Sequence, residues 1–259
     1  GTWTYTWQNG RQLQKMQKSG VTAEFVYNAD GLRVQKTVNG VATKYTLHGK
    51  NVVHMTSGTD ELHFFYDAQN RPAVVVYNGV PYAYVKSLQG DIVALLNGAG
   101  NVVVSYAYDA WGAPIGKSGS MASTLGTVQP FRYRGYVFDE EIGLYYLRSR
   151  YYSAERCRYV NADSLLRTNL ITLNAYHYCR NNSISFRDAG GYEETISYEF
   201  PFELNGAAML EYVRKWWSRE QSGLNPEFNS GREKDHCTAF VSETLYAVSY
   251  THLTLPTNS

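Results

Sequence analysis

The most regular feature of the chain is a short run of alternating aromatic and polar residues that ends in a polar turn. Phe25 and Tyr27, for example, stand two positions apart and precede the sequence Asn-Ala-Asp-Gly at 28–31. Residues at every second position share one face of a strand, so each run predicts a half-buried β-strand. Further runs end at Trp7, Tyr66 and Tyr108. Their spacing is about twenty residues or a multiple of it, which is typical of repeat architectures.

The residues that follow each run suit tight turns. Asparagine and aspartate cap their own turns, and glycine adopts the positive φ that such turns require. Residues 86–91, Lys-Ser-Leu-Gln-Gly-Asp, form a degenerate member of the set. Because one hairpin cannot bury its own face, the hairpins must stack or spiral. Turns are predicted at Asn9-Gly10, Asp30-Gly31, Gly98 to Gly100 and Trp111-Gly112.

Composition supports a β-rich fold and excludes some partners. The 259 residues include 23 tyrosines and 22 glycines, and only 18% are charged, which favours strands joined by tight turns. A formal net charge of +1 gives no reason to expect binding to nucleic acid or to an anionic membrane. No apolar run approaches the roughly twenty residues that span a bilayer, so no membrane span is predicted.

The three cysteines of the chain predict no metal site, and neither do the histidines that precede residue 192. The cysteines of the chain are Cys157, Cys179 and Cys237, which lack CxxC spacing and predict neither a zinc site nor a disulfide framework. The histidines on predicted strands are His48, His54, His63 and His177, which lack ligand spacing. We interpret them as solvated or core histidines, and we predict neither a metal nor a cofactor.

Residues 131–191 carry a denser pattern of tyrosine, glycine and arginine. The stretch FRYRGYVFDEEIGLYYLRSRYY is followed by RCRYVNADS and later by NAYHYCRNNSISFRDAGG. This segment resembles the RHS repeat-associated core, and the preceding hairpins resemble the YD repeats of the same bacterial family. The positions in register with the core pattern are Gly135, Tyr136, Asp139, Gly143, Leu144, Tyr145, Tyr146, Arg150, Tyr151, Tyr152, Arg158, Asp163, Tyr176, Asn181, Asn182, Asp188 and Gly190.

The resemblance implies a mainly β fold in which antiparallel YD-repeat hairpins form part of a spiral, hollow β-shell. The core segment is expected to curl inward and plug the shell. Members of the family commonly carry a variable C-terminal domain after the core, often a toxin. The departures from the core pattern are Cys157 for glycine, and Ser164, Ser183 and Ala189 for proline.

Two aspartates of the core segment are candidate site residues. Some family members cleave themselves behind a closing Asp-Pro-x-Gly-Leu motif by using aspartates of the core, and the resemblance assigns that role to Asp163 and Asp188. Here Ala189 and Tyr192 replace the proline and the leucine of the motif. We therefore favour the interpretation that both aspartates cap turns, as aspartate commonly does.

After residue 192 the alternation gives way to helical spacing. Apolar residues recur at three- and four-residue steps over 207–217, and a second stripe begins at Cys237. Residues 212–247 resemble a papain-like amidase domain found at the ends of cell-wall-associated proteins. The matching positions are Asn225, Pro226, Phe228, Cys237, Thr238, Phe240, Val241 and Ser242, whereas His236, Ala239 and Glu243 depart from the pattern.

Cys237 is the candidate nucleophile of this segment. Asp235 is a natural N-cap, so a helix is expected from Cys237 to about Ala247. A thiol in the first turn of a helix lies near unpaired N–H groups, which favour the thiolate. The histidine base of papain-like enzymes lies well downstream, and after Cys237 this chain has only His252. The segment is therefore expected to be inactive as it stands, and a buried structural thiol is the alternative.

The last residues, 248–259, resemble a translated sequencing adaptor. The sequence AVSYTHL permits codons that match a transposon mosaic end in frame. We expect this tail to lack a settled place in a fold, and His252 carries no functional argument. A threonine-rich strand is the alternative.

The expected layout has five parts: YD-repeat hairpins at 1–120, the RHS-associated core at 121–191, a linker at 192–204, a truncated amidase-like segment at 205–247, and the tail. The predicted function is a secreted or cell-surface shell fragment that carries a cysteine amidase or peptidase. Cell-wall peptide, a target-cell surface and an immunity protein are the expected partners. The alternative is an adhesive surface protein whose C-terminal module only binds.

Overall fold

The described residues of the chain form antiparallel β-sheets with little helix. The computed structural model describes residues 2–163, 174–192 and 195–196. The mainly β, antiparallel fold predicted from the sequence is confirmed. The predicted helix at Cys237, the amidase-like segment at 205–247 and the tail at 248–259 lie outside the described residues.

Twelve strands form one continuous meander in which every strand pairs with the next along the chain. Strands β1 and β12 are the two edges of this sheet. The strands are Thr4–Gln8 (β1), Gln12–Lys18 (β2), Val21–Tyr27 (β3), Arg33–Val38 (β4), Val41–His48 (β5), Asn51–Ser57 (β6), Asp60–Tyr66 (β7), Pro72–Tyr77 (β8), Val80–Lys86 (β9), Ile92–Leu96 (β10), Val102–Tyr108 (β11) and Pro114–Ser118 (β12).

All connections of the sheet but the three-residue turn at 9–11 are of two kinds. Two-residue turns such as Asn39-Gly40 join β4 to β5, and both turn residues have positive φ. Five-residue loops such as 28–32 join β3 to β4. The four turns predicted from the sequence all lie between strands, at 9–11, 28–32, 97–101 and 109–113.

The five-residue loops share one hydrogen-bonding pattern. In the first of them, the Asn28 side-chain oxygen accepts the backbone N–H of Leu32 at 2.9 Å, and the Asn28 N–H donates to the Leu32 carbonyl. This is the self-capping expected of asparagine and aspartate in turns. The same pattern recurs at Asp67, Ser87, Asn97 and Asp109.

The side chain of the residue before the loop bonds to the preceding strand of the sheet. The Tyr66 hydroxyl donates to the Val52 carbonyl at 2.7 Å, and the Tyr27 hydroxyl donates to the Leu13 carbonyl at 2.9 Å. In the degenerate repeat, Lys86 replaces the tyrosine and its ammonium donates to the Pro72 carbonyl at 3.0 Å. Each bond spans fourteen residues, so the repeat has a tertiary as well as a local role.

The core segment begins with irregular structure and continues as a small sheet. A four-residue helix, Leu125–Val128 (α1), and a 3₁₀ turn, Tyr133–Gly135, precede strands Val137–Asp139 (β13), Leu144–Tyr146 (β14), Tyr151–Ser153 (β15) and Arg158–Tyr159 (β16). These four strands pair in sequence order. A second 3₁₀ turn, Cys179–Asn181, and the pair Phe186–Arg187 (β17) and Thr195–Ile196 (β18) complete the described elements.

The core segment packs on the apolar face of the large sheet. Phe131 lies edge-on to Phe64, Tyr66 and Tyr84, with ring centroids 5.1–6.3 Å apart. Elsewhere Phe25 of β3 packs against Tyr151 of β15. Aromatic side chains bury large areas in such pairs. Residues of the core segment thus pack on the apolar face of the sheet, whereas the plugging of a closed shell that the resemblance implied stays a prediction.

A buried ion cluster fastens the two layers. The Arg33 guanidinium of β4 contacts both carboxylate oxygens of Asp139 on β13, at 2.5 and 3.0 Å, and Lys36 lies 3.2 Å from the same carboxylate. Burial favours the neutral form of Asp139, but these two cations outweigh that effect and hold its pKa below the ordinary value. Lys36 also reaches Glu141 at 2.7 Å.

Candidate functional site

Asp188 lies buried at the closing turn of the core segment. One of its oxygens accepts the backbone N–H groups of Gly190 and Tyr192 at 3.3 and 3.1 Å. The other accepts the Tyr159 hydroxyl at 2.7 Å and one nitrogen of Arg150 at 3.1 Å. Asp188 therefore caps the turn that follows it, and it does so from inside the core.

Arg150 brings the two candidate aspartates together. Its second terminal nitrogen lies 3.0 Å from a carboxylate oxygen of Asp163, so one guanidinium contacts both Asp163 and Asp188. The guanidinium carbon lies 3.7 Å from the centre of the Tyr159 ring. Burial and the Asp188 charge raise the pKa of Tyr159 well above its ordinary value, so its hydroxyl remains a proton donor.

Side chains of the core segment hold the turn after Asp188 through hydrogen bonds to its backbone carbonyl oxygen. The Arg150 Nε donates to the Gly191 carbonyl, and the Ser149 hydroxyl lies 2.5 Å from the same carbonyl oxygen. Gly191 has φ +71°, and a Cβ there would lie 2.7 Å from the Leu147 carbonyl oxygen. Only glycine fits such a position.

The contacts of Asp163 and Asp188 fix the closing turn of the core segment in place. An aspartyl catalytic pair needs two carboxylates that share one proton. Here a guanidinium contacts both carboxylates, and the Asp188 oxygens are also occupied by two N–H groups and a hydroxyl. Turn capping, the interpretation favoured from the sequence, describes Asp188 directly. Asp163 forms an ion pair with Arg150, a contact that the sequence did not predict. Self-cleavage by the two aspartates stays an untested prediction.

Cys237, the third candidate site residue, lies outside the described residues, as do His236 and His252. Nothing about its surroundings follows from the structure. Among the residues that the structure describes, no helix is long and apolar enough to cross a membrane.

Two of the histidines that lack ligand spacing in the sequence, His54 and His63, lie side by side in the structure. His54 on β6 stands directly opposite His63 on β7, and Glu61 reaches both rings. The sequence held a signal for this pairing. A two-residue turn at Gly58-Thr59 sets Ser57 opposite Asp60, and counting back along both strands brings the two histidines face to face.

The curated proteins similar to this chain include tRNA nucleases. The chain is 34% identical over 201 residues to the tRNA nuclease WapA of Bacillus subtilis strain 168, and 33% identical over 201 residues to the tRNA3(Ser)-specific nuclease WapA of Bacillus spizizenii. Each alignment covers 74% of this chain but only 8% of the relative. No protein-family model matches the chain.

Solved structures with a similar fold are toxin complexes. A structure of the Photorhabdus luminescens Tc holotoxin pore superposes with a TM-score of 0.57 at 19% identity, over 76% of this chain and 10% of that chain. The TcdB2–TccC3–Cdc42 complex gives a TM-score of 0.59 at 20% identity, over 73% of this chain and 10% of that chain. At this identity the likeness concerns the fold alone. The repeat pattern, the sheet with its packed core segment and the relatives agree, and together they support an RHS-type protein.

Proposed function

We propose that the described residues are the closing part of an RHS shell, and that the parent protein uses this shell to carry a C-terminal effector out of the producing cell. The observation that carries the proposal is the core segment, which covers the apolar face of the twelve-stranded sheet and ends in an anchored turn at 188–192. Because that turn is held by the core segment itself, domains of different sequence can follow the same shell.

We infer the activity of the effector from the segment at 205–247. Its resemblance to papain-like amidases assigns Cys237 as the nucleophile, with a histidine base that the parent protein supplies farther along its sequence. Cell-wall peptide is the substrate class that this resemblance favours. A protein that cleaves cell-wall peptide also needs an immunity partner in its producer, because the producer has the same wall.

A nuclease effector is the second candidate. It is favoured by the names of the curated relatives, which are tRNA nucleases at 33–34% identity. Since the chain covers 8% of their length, their activity is not carried to this chain residue by residue. The near-zero net charge argues against nucleic-acid binding by this chain, and it places no limit on residues elsewhere in the parent.

The test uses the parent protein read from the untrimmed gene, with Cys237→Ala and Cys237→Ser as paired variants. We expect wild-type protein to release peptide from purified cell walls and both variants to lose that activity, while a bulk tRNA sample stays intact. The alkylation rate of the thiol against pH provides an independent readout. A thiol that titrates at or above the ordinary value of about 8.5 would identify a structural cysteine.

The remaining outcomes separate the candidates. Cleavage of tRNA that both cysteine variants retain would reject the amidase and support the nuclease. A wild-type protein that binds target cells but neither releases cell-wall peptide nor cleaves tRNA would support the adhesive alternative. A parent sequence that ends without a further histidine would remove the chemical basis of the amidase assignment.

A further inference from the structure

We propose that His54, Glu61 and His63 form a binding site for Zn²⁺ on the solvent face of the twelve-stranded sheet. His54 and His63 are opposite each other in the β6–β7 register, and Glu61 precedes His63 by two positions on the same face of β7. The neighbouring positions Met55 and Leu62 point the other way and are buried. The three polar side chains therefore emerge together from the exposed side of the sheet.

The distances among the three groups fit one cation. The Glu61 Oε1 atom lies 3.0 Å from His54 Nε2 and 3.4 Å from His63 Nε2. Ligands about 2.0–2.1 Å from a tetrahedral zinc ion are about 3.3 Å from one another, which falls between these two distances. One ligand atom from each residue lies within 4.8 Å of each of the others. The atoms thus approach ligand spacing before any ion is added.

The chemistry of the donors favours Zn²⁺. Two imidazoles and one carboxylate are the protein ligands of one well-known class of zinc site, in which a fourth position stays open for water. The side chains of His54, Glu61 and His63 are 29, 56 and 48% exposed, so solvent reaches that fourth position. The imidazole rings are stacked with their centroids 4.6 Å apart, so both histidines face the same point above the sheet.

The surroundings leave room for a cation. Thr46 of β5 stands opposite His54, and Val76 of β8 stands opposite His63, so the flanking positions of both histidines are uncharged. The nearest cationic position in the register is Lys44, which stands opposite Thr56. Binding would join two adjacent strands through side chains and add to their backbone ladder.

The experiment measures Zn²⁺ binding by the chain after treatment with a chelator. Titration calorimetry at about pH 7.5 should give one site, and His54→Asn and His63→Asn should each weaken it by at least roughly tenfold, because each removes one of three ligands. His48→Asn, an exposed histidine at the end of β5, is the matched control and should bind as the wild type does. Glu61→Gln keeps a hydrogen-bonding side chain but removes the charge, and it should also weaken binding.

A second readout identifies the ligands. The Co²⁺-loaded chain should show the visible bands of a nitrogen- and oxygen-ligated ion, without the ultraviolet band of a cobalt–thiolate bond. Zn²⁺ should raise the melting temperature of the wild type and of His48→Asn, and leave that of His63→Asn unchanged. Circular dichroism reports whether each variant is folded. Equal affinity in the wild type and in His63→Asn, a thiolate band, or no binding in the wild type would each overturn the proposal.

Discussion

At the scale of single residues, the fold depends on charges that are buried together. Arg33 and Asp139 are each 1% exposed at the side chain, and they come from the sheet and from the core segment. Removing one partner of a buried pair leaves an uncompensated charge, which costs far more than losing a surface pair. Asp139 has two cationic neighbours, and its loss would leave Arg33 without its paired carboxylate while Lys36 kept Glu141.

We predict that Asp139→Asn lowers the free energy of unfolding by about 3–5 kcal/mol, since the buried Arg33 then loses its counter-ion and Lys36 keeps only Glu141. The measurement is urea denaturation followed by tyrosine fluorescence. Glu24→Gln is the control, because the Lys15–Glu24 pair at 3.3 Å is exposed on the same sheet and should contribute less than about 1 kcal/mol. Equal effects of the two substitutions would show that the buried cluster does not fasten the layers.

The closing aspartates support a second prediction at this scale. Asp188→Asn should destabilise the chain more than Asp163→Asn, because the Asp188 side chain is 2% exposed and that of Asp163 is 12% exposed. Mass spectrometry of the purified protein should find the chain uncleaved at 188–192 in the wild type and in both variants. Cleavage in the wild type that either variant abolishes would instead assign the two residues to self-cleavage.

At the scale of elements, the five-residue loops that connect the strands of the sheet share one structure. A residue with a side-chain oxygen caps the five-residue loop, and the residue before it reaches back to an earlier strand. The loop at 67–71 adds charge to this pattern. Lys86 and the Arg71 side chain lie 2.8 and 3.2 Å from Asp67. This loop should therefore respond to acid, whereas the uncharged loop at Asn97 should not.

We predict a pH-dependent difference between the wild type and Asp67→Asn. Partial burial favours the neutral form of Asp67, but the hydrogen bonds from Lys86 and from the Arg71 N–H outweigh it and lower the pKa to about 2. A lowered pKa stabilises the folded state above the unfolded value of about 3.9, and that stabilisation is lost as the pH falls toward the folded value.

The measurement is the free energy of unfolding of both proteins between about pH 6 and pH 2. The advantage of the wild type should be constant above about pH 5 and should shrink below about pH 4. Asn97 accepts the equivalent N–H of Asn101 at 3.0 Å, so asparagine at 67 is able to keep the turn. A difference that is independent of pH would mean that the charge of Asp67 contributes nothing.

At the scale of the whole molecule, the sheet and the core segment depend on each other. The apolar face of the twelve strands is covered by residues of the core segment, with Phe131 in contact with three aromatic rings of the sheet. An uncovered face of this size would expose aromatic and aliphatic side chains to water. We therefore expect the strands to lose stability whenever the core segment is detached.

We predict that Phe131→Ala costs about 3–5 kcal/mol and lowers the protection of amides on β7 and β9, the strands of Phe64 and Tyr84. Hydrogen exchange with mass spectrometry measures both effects. Val102→Ala, at a position that is 54% exposed, is the control and should change stability by less than about 0.5 kcal/mol. Full protection of the β7 amides in Phe131→Ala would mean that the stability of this strand does not depend on Phe131 of the core segment.

The strands and the loops could be predicted from the sequence because they depend on neighbouring residues. The alternation of Phe25 and Tyr27 sets a strand face, and the side chain of Asn28 closes its own loop. The resemblance to the RHS-associated core then named Asp139, Arg150 and Asp188 without saying what they contact. The amidase-like segment stays a prediction, since Cys237 lies outside the described residues.

Tertiary structure alone decided which distant side chains meet. Arg33 and Asp139 are 106 positions apart, and Arg150 and Asp188 are 38 positions apart, so no local pattern links them. His54 and His63 are close in sequence, yet a shift of one residue in the β6–β7 register would send one ring to the opposite face. Local hydrogen bonding and alternation belong to the sequence itself, whereas these pairings depend on strand register and on the packing of one layer against another.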